Sequence, residues 1–305
     1  CRRDRVGTVR IKDIRPGVAA SNILQMTSVG RSLYFIADNG VSGWELWRSD
    51  GTEAWTGLVK DIILGSGSST PFLLTSVGAT LFFSANDGVS GHELWKSDGT
   101  PQGTVLVKDI SSASAGSVPT GLVFVNGTIL FTATDSQHGL ELWKSDGTEA
   151  GTVLVKDIYP DSEGSIESYL ISLNGAVYFT ANDGTTGREL WQSDGTASGT
   201  TLVKDIIPGS ESSRPLHIQK AGGQLLFSAR DSATVQNYEL WKSDGTAAGT
   251  LFVREIAFGN RSSEVQSLQI VGDSVFFSAN DGVRGTELWK SDGTGLGTVL
   301  VKDVG

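Results

Sequence analysis

Cysteine is almost absent from this 305-residue sequence: Cys1 is the single copy, so no intramolecular disulfide can form. Basic residues are also few, with 24 Lys and Arg against 34 Asp and Glu and a formal net charge of −10. Nucleic acids and anionic membrane surfaces bind basic patches, so the charge argues against both partners. No stretch of the sequence approaches the roughly 20 apolar residues of a membrane span.

Proline is scarce as well, at 7 residues, whereas glycine reaches 39. That balance indicates many tight turns rather than disorder. The position of Cys1 raises one further expectation, because a mature bacterial lipoprotein begins with a lipidated cysteine. The plainer interpretation is a fragment that happens to start there, since no signal segment precedes it.

One eight-residue segment, ELWKSDGT, dominates the rest of the sequence. It occurs at Glu93–Thr100 and again at Glu141–Thr148, with near-copies elsewhere. The tryptophans of the six copies are Trp47, Trp95, Trp143, Trp191, Trp241 and Trp289. They are spaced 48 residues apart, except for one step of 50 that has two additional residues between Asp231 and Glu239. Such a period is typical of a repeat architecture.

Each repeat contains four short segments with strand character, here named A to D. In one unit they read FLLTSV, TLFFSA, HELWKS and TVLVKDI, separated by turn signals. Sister units place Asn-Gly between A and B, at Asn126-Gly127 and Asn174-Gly175, which is a strong hairpin signal. The sequence therefore predicts an all-β fold: one domain over residues 1–305, a six-bladed β-propeller of four-stranded antiparallel blades. The main alternative is an open array or a pair of sandwiches, with two uncovered end faces.

The stretch FSANDGVSGHELWKSDGTPQGTVLVKDI resembles the bacterial ELWxxDGT repeat family, and the resemblance covers nearly the whole chain. It implies a secreted or cell-surface bacterial protein built from tandem repeats, and it implies no reaction. A weaker likeness to kelch blades supports the propeller without indicating a function.

The repeated Trp has two interpretations. Because residues alternate across a strand, Glu93, Trp95 and Ser97 share one face of segment C. A Trp at the same place in every blade favours a structural packing layer between blades. The neighbouring Glu is expected to pair with a lysine of a VKD segment, such as Lys108 or Lys156. The alternative is a set of Trp platforms that stack sugar rings, as in multivalent lectins.

Acidic residues recur in two turns. SDGTxxGT, between C and D, is similar to the Asp-box turn of sialidase-type propellers and is expected to be structural. The turn between B and C carries an acid in five units, and these are candidate Ca²⁺ ligands: Asp87, Asp135, Asp183, Asp231 and Asp281. The competing interpretation is that each Asp caps its own turn. No cofactor other than Ca²⁺ is indicated.

Catalysis has little support in the sequence, because the three histidines occupy unrelated repeat positions: His92, His138 and His217. We therefore expect no enzyme. Ligand contacts are expected where the fifth unit departs from the repeat, in its D–A and B–C loops. The candidate ligand-binding residues are Arg214, His217, Arg230, Gln236, Asn237 and Tyr238. Drift in an unconstrained loop explains the same departures.

Segment D occurs seven times in the sequence, once more than segments A, B and C. The additional copy, GTVRIKDI, lies at Gly7–Ile14, and the last copy lies at Gly297–Val304. Both are expected at one place, the outer edge of the blade built from about Val265 to Asp292. The copy left over would be an unpaired strand that favours self-association or a longer repeat array.

Together these features predict a non-catalytic extracellular propeller that acts as a structural, protein-interaction or self-assembly module. The alternative is a carbohydrate-binding propeller, with calcium as a further requirement. The expected partners are a protein or glycan at the cell surface, and a second copy bound through the terminal strands.

Overall fold

A computed structural model describes residues 7–112, 114, 116–160, 164–166, 170–232, 237–258 and 261–304. Within these residues 24 strands form six four-stranded sheets, and each sheet uses four strands that are consecutive in the chain. The predicted fold class is confirmed: the chain is an all-β, six-bladed β-propeller with four-stranded antiparallel blades. No helix in the described part of the chain is long and apolar enough to cross a membrane.

The strands of the first three blades are β1 (Leu24–Val29), β2 (Ser32–Asp38), β3 (Trp44–Ser49) and β4 (Gly57–Lys60); β5 (Phe72–Val77), β6 (Thr80–Asn86), β7 (His92–Ser97) and β8 (Val105–Lys108); and β9 (Thr120–Val125), β10 (Thr128–Asp135), β11 (Gly139–Ser145) and β12 (Val153–Lys156). Those of the last three are β13 (Ile171–Leu173), β14 (Ala176–Asn182), β15 (Arg188–Ser193) and β16 (Thr201–Lys204); β17 (Leu216–Ala221), β18 (Gln224–Arg230), β19 (Tyr238–Ser243) and β20 (Leu251–Arg254); and β21 (Gln266–Val271), β22 (Ser274–Asn280), β23 (Thr286–Ser291) and β24 (Val299–Lys302).

Contacts group the chain into two compact units. Unit 1 comprises Cys1–Phe124 and Phe131–Val153, and unit 2 comprises Val125–Leu130 and Leu154–Gly305. Blades 1 and 2 belong to unit 1, blades 4 to 6 belong to unit 2, and the strands of blade 3 are divided between them.

Hairpin turns between strands A and B follow the predicted Asn-Gly chemistry. Asn126 and Gly127 have φ angles of 51° and 85°, and Asn174 and Gly175 have 51° and 82°. Two successive positive φ angles define the type I′ turn, whose twist matches that of the flanking strands. The sequence prediction of these hairpins is confirmed.

Each apolar core is built from the facing sides of neighbouring blades. In unit 1, Tyr34 and Leu46 of blade 1 share a cluster with Phe83 and Trp95 of blade 2. Two clusters in unit 2 repeat this arrangement, one between blades 4 and 5 and one between blades 5 and 6. The six repeated Trp side chains are only 5–7% exposed. A buried Trp removes about 150–250 Å² from water, so this layer contributes strongly to cohesion between blades.

The two terminal copies of segment D lie at different places. Strand β24 pairs with β23 at the edge of blade 6, in the register Trp289↔Leu300. The N-terminal copy packs against blade 1 instead, where Ile14 joins a cluster with Phe35 and Trp47. The expectation that both copies compete for one edge is therefore corrected: the local hairpin gives that edge to β24, and blade 1 offers the other copy an apolar face.

Candidate functional site

A buried glutamate joins strand C to the D–A loop of its own blade. Glu93 is fully buried and accepts hydrogen bonds from the amides of Ile110, Ser111 and Ser117 at 3.2, 3.1 and 2.9 Å. The Ser117 hydroxyl donates to the same carboxylate at 2.5 Å. Glu45 and Glu189 make the corresponding bonds to Ser69 and Ser213. The repeated Glu thus fixes the course of the loop that follows strand D.

The predicted ion pair between this Glu and a lysine of the VKD segment is wrong. Lys108 donates from Nζ to the Thr152 carbonyl oxygen at 2.8 Å, and Lys156 donates to that of Thr200 at 2.9 Å. Each lysine reaches a carbonyl of the next repeat, because backbone amides and a serine hydroxyl already surround the carboxylate. Lys156 Nζ also lies 5.6 Å from the centroid of the Trp191 ring.

Burial changes the acidity of these glutamates. It raises the pKa of Glu45 and of Glu189 to about 7, against the lowering effect of the hydrogen bonds from Ser69 and Ser213. The pKa of Glu239 is also raised to about 7, and burial of its carboxyl group is again the largest cause. Loss of hydration disfavours the charged form, so these carboxyl groups exchange protons near neutral pH.

The C–D turn is held together by its own side chains. Asp98 Oδ1 accepts from the amide and the hydroxyl of Thr100 at 2.8 and 2.7 Å. Ser97 and Thr104 hydroxyls lie 2.7 Å apart beneath the turn. These bonds lower the pKa of Asp98, with the Thr100 side chain as the largest cause. The arrangement is that of a structural turn, and the other blades repeat it.

The B–C turns use their acidic residues as caps. Asp87 Oδ1 accepts from the amides of Val89 and Ser90 at 2.8 and 2.7 Å. The same bonds occur at Asp135, Asp183 and Asp281, whereas Asp231 accepts from the Asn237 side chain at 2.6 Å. Within the described ranges, no group of three or more His, Cys, Asp or Glu is placed to hold a metal ion. Calcium binding at these turns stays a prediction.

Two of the predicted ligand-binding residues line one cleft. His217 and Tyr238 border a cavity of about 360 Å³ between blades 5 and 6, together with Ser262, Glu264 and Gln266. His217 is exposed and has a φ of 55°, and Glu264 has a φ of 49°. Left-handed φ angles recur at the same repeat positions in other blades, at Gln25 and Thr70 for example, so they belong to the repeated start of strand A. The cleft is the candidate functional site because it contains two residues at which the fifth unit departs from the repeat.

The other described residues of the predicted ligand-binding set, Arg214, Arg230 and Asn237, do not line this cleft. Arg214 is exposed, with its amide bonded to the Arg188 carbonyl at 3.0 Å. Arg230 is buried and donates from Nη2 to the Ser232 carbonyl at 3.1 Å. Asn237 Nδ2 donates the hydrogen bond to Asp231 Oδ1 described above. Gln236 lies outside the described residues.

A second cleft, of about 270 Å³, was missed by the sequence reasoning. It lies in unit 1 and is lined by Arg15, Asp38, Trp44 and Ser68, with an Arg15–Asp38 ion pair at one side. The Trp44 backbone amide donates a hydrogen bond to Ser68 Oγ at 3.0 Å, which fixes the position of Trp44 beside the cleft. A signal existed, since Trp44 is an additional tryptophan that directly precedes the first ELW segment.

Two of the described histidines have different surroundings. His92 Nε2 lies 3.3 Å from the Thr70 hydroxyl, but its Nδ1 is buried without a hydrogen-bond partner. His138 Nδ1 lies 2.8 Å from Asp135, which also caps the turn. A general base needs both the nucleophile and a group that orients its ring, and no group orients the His92 ring at Nδ1.

Comparison with known proteins yields a fold and no family. No family model and no curated protein matches the chain, so the resemblance to the ELWxxDGT family stays a prediction. Oligopeptidase B from Leishmania major matches with a TM-score of 0.54 and 12% identity, over 91% of this chain and 41% of that one. Prolyl oligopeptidase B from Galerina marginata, bound to a 35mer hydrolysis and macrocyclization substrate, matches with a TM-score of 0.52 and 12% identity. The match covers 93% of this chain and 44% of that one.

A puromycin hydrolase also matches, with a TM-score of 0.51 and 12% identity, over 90% of this chain and 46% of that one. The chain thus spans less than half the length of these three solved proteins, and at 12% identity the likeness shows the fold alone. These neighbours contradict the expected function of a non-catalytic structural, interaction or self-assembly module and its lectin-like alternative.

Proposed function

We propose that this propeller serves a peptidase: it binds peptide segments and presents them to a catalytic part that lies outside the described fold. The observation that carries the proposal is the extent of the structural match. Nearly all of this chain is matched, whereas more than half of each hydrolase lies beyond the matched part. The catalytic residues of such a protein then belong to that other part.

The geometry of this chain supports the same division of labour. His92 lacks the arrangement that nucleophilic catalysis needs, because no group orients its ring at Nδ1. The cleft of His217 and Tyr238 has the mixed character that peptide binding uses, because it offers an imidazole, a phenol and a carboxylate beside an apolar wall at Leu216 and Val265. A propeller keeps such loops in place on a rigid scaffold.

Fluorescence anisotropy with labelled peptides of 8 to 30 residues tests this proposal, with a parallel assay for cleavage of the same peptides. We expect binding without hydrolysis, and weaker binding by at least about fivefold in a His217→Ala, Tyr238→Ala double variant. His138→Ala serves as the matched control, since His138 lies on a different blade and outside the cleft. Hydrolysis by the chain alone, or no binding to any peptide, contradicts the proposal.

A further inference from the structure

The seam between strand C and the D–A loop is bonded differently in blade 5 from its counterparts in blades 1, 2 and 4. In those three blades the buried Glu accepts hydrogen bonds on both carboxylate oxygens. Glu239 of blade 5 accepts on Oε2 alone, from the Ile256 amide at 3.0 Å and the Ser263 hydroxyl at 2.9 Å. Its Oε1 is buried without a hydrogen-bond partner. Blade 5 therefore holds its D–A loop less completely than the other three blades.

A second difference concerns the loop residue that follows the serine. In blades 1, 2 and 4 it donates its amide to the carbonyl oxygen of the first residue of strand C: Thr70 to Trp44 at 3.2 Å, Val118 to His92 at 2.9 Å and Arg214 to Arg188 at 3.0 Å. In blade 5 the Tyr238 carbonyl oxygen accepts from the Ser263 hydroxyl at 2.7 Å instead. The Glu264 amide donates to Ser262 Oγ at 3.1 Å. We call the arrangement of blades 1, 2 and 4 the closed seam and that of blade 5 the open seam.

The open seam forms one wall of the candidate cleft, since Ser262 and Glu264 line it together with Tyr238. Ser263 is fully buried, and its carbonyl oxygen accepts the Asn280 amide at 2.8 Å, a bond that the closed seams also make. Closure would move the Glu264 amide from Ser262 Oγ to the Tyr238 carbonyl oxygen. This movement draws the wall onto the start of strand β19 and narrows the cleft. Blade 5 has every group that the closed seam uses, namely a Glu, a Ser and the backbone amide that follows it.

The protonation of Glu239 distinguishes the two arrangements. Closure brings the Ser263 amide to Oε1, in the way that the Ser69 amide bonds to Glu45 Oε1 at 3.0 Å. Such donors stabilise a carboxylate. The open seam leaves Oε1 without a donor, a cost that is smaller for a neutral acid than for an ionised one. Burial is the largest cause that raises the pKa of Glu239 to about 7, so both forms are populated near neutral pH.

Other charged and titratable groups lie on the elements around Glu239. They are Arg230 on β18, Arg254 on β20, Glu255 directly after it, Arg261 and Glu264 in the D–A loop, and His217 on β17. The three arginines donate to the carbonyl oxygens of Ser232, Thr298 and Gly282, respectively. His217 lines the cleft, and an imidazole changes its charge in acid, so a test of Glu239 must keep His217 in place.

We infer that Glu239 is a positioning residue that couples proton uptake to peptide binding in this cleft. With a neutral Glu239 the seam is open and the cleft admits a peptide, and with an ionised Glu239 the seam closes and narrows the cleft. Acid and peptide then favour the same arrangement, so each strengthens the binding of the other. The role in peptide binding rests on the proposed function, whereas the opening and closing of the seam belong to this chain alone.

Hydrogen exchange without any peptide, read by mass spectrometry with single-residue fragmentation, tests the seam itself. The Ser263 amide is the reporter, because closure gives it Glu239 Oε1 as its acceptor. Its protection, divided by that of the Ser213 amide in the closed seam of blade 4, should be at least about fivefold higher at pH 8 than at pH 5.5. Glu239→Gln, which stays neutral, should show the same ratio at both pH values. An unchanged ratio in the parent protein overturns the inference, and this comparison needs no variant that folds.

Peptide binding is the second measurement, with the labelled peptides described above at pH 5.5 and pH 8. The parent protein should bind at least about fivefold more tightly at pH 5.5, because acid favours the open seam. Glu239→Gln should bind with the same affinity at both pH values, within about twofold, since its neutral amide resembles the neutral acid. Glu45→Gln, in the closed seam of blade 1, is the matched control and should keep the pH dependence of the parent protein.

The outcomes separate this inference from the proposed function. A pH dependence that survives in Glu239→Gln belongs to His217 and overturns the inference, as does a parent affinity that is equal at both pH values. Failure of every peptide to bind contradicts the proposed function, and the exchange of the Ser263 amide then decides whether the seam responds to protons. Melting temperatures at both pH values show that each variant compared is folded.

Discussion

Ser69 lies 24 residues beyond Glu45 and binds both of its carboxylate oxygens, through its amide at 3.0 Å and its hydroxyl at 2.5 Å. The Ser69 carbonyl oxygen in turn accepts the amide of Asn86, at the end of strand β6, at 3.0 Å. One buried glutamate therefore links a C strand, the loop after strand D and the next blade. A group at the centre of such a network is expected to control stability.

Stability should rise as pH falls from 8 to about 5. Burial raises the pKa of Glu45 and Glu189 from 4.5 to about 7, so the folded state binds protons that the unfolded chain releases. Their contribution is fully present below pH 4.5 and is lost as pH rises through about 7, by up to roughly 3 kcal/mol for each group. Thermal unfolding at pH 5.5 and pH 8 measures the difference.

Glu189→Gln should reduce this pH dependence, because a neutral amide removes one of the titrating groups. Glu149→Gln is the control, since Glu149 is an exposed residue in a C–D turn. A melting temperature of the parent protein that is higher at pH 8 than at pH 5.5 would contradict the assignment of a raised pKa.

The Trp layer should dominate cohesion between blades 1 and 2. Trp95 is 6% exposed and belongs to the cluster that joins these two blades. Trp95→Ala should lower the free energy of unfolding by about 3–5 kcal/mol, because it removes a large buried side chain and leaves a cavity. Urea denaturation gives the value. Trp55→Ala, at a 62% exposed tryptophan, should cost less than about 1 kcal/mol, and equal losses would refute the packing role.

The lysine of strand D should stabilise the junction by its hydrogen bond. Lys156 donates to the Thr200 carbonyl oxygen at 2.9 Å and lies over the Trp191 ring. Lys156→Met keeps most of the aliphatic length and removes both contacts, so we expect a loss of about 1–2 kcal/mol in urea denaturation. Lys220→Met, at an exposed lysine of strand β17, is the comparison, and a loss of the same size there would argue against the junction role.

The sequence predicted those features that depend on local order. The period of Trp47, Trp95 and their equivalents is enough to indicate blades, and the Asp98–Thr100 turn closes within a few residues. The partner of Glu93 could not be predicted, because Ser117 is 24 residues away and most of the donors are backbone amides, which leave no mark on the sequence. The second cleft could not be predicted for a similar reason, because Arg15 and Trp44, which both line it, are far apart in the chain.

The B–C turns provide a test that distinguishes capping from metal binding. Asp183 Oδ1 accepts from the amides of Thr185 and Thr186 at 2.8 and 2.7 Å. Asp183→Asn keeps this acceptor, so it should change stability by less than about 0.5 kcal/mol, whereas Asp183→Ala should cost about 1 kcal/mol. If the turn is held by capping alone, millimolar Ca²⁺ and EDTA should leave the melting temperature of all three proteins unchanged. A rise with Ca²⁺ that Asp183→Asn abolishes would instead assign a cation to this turn, because a ligand that binds only the folded state stabilises it.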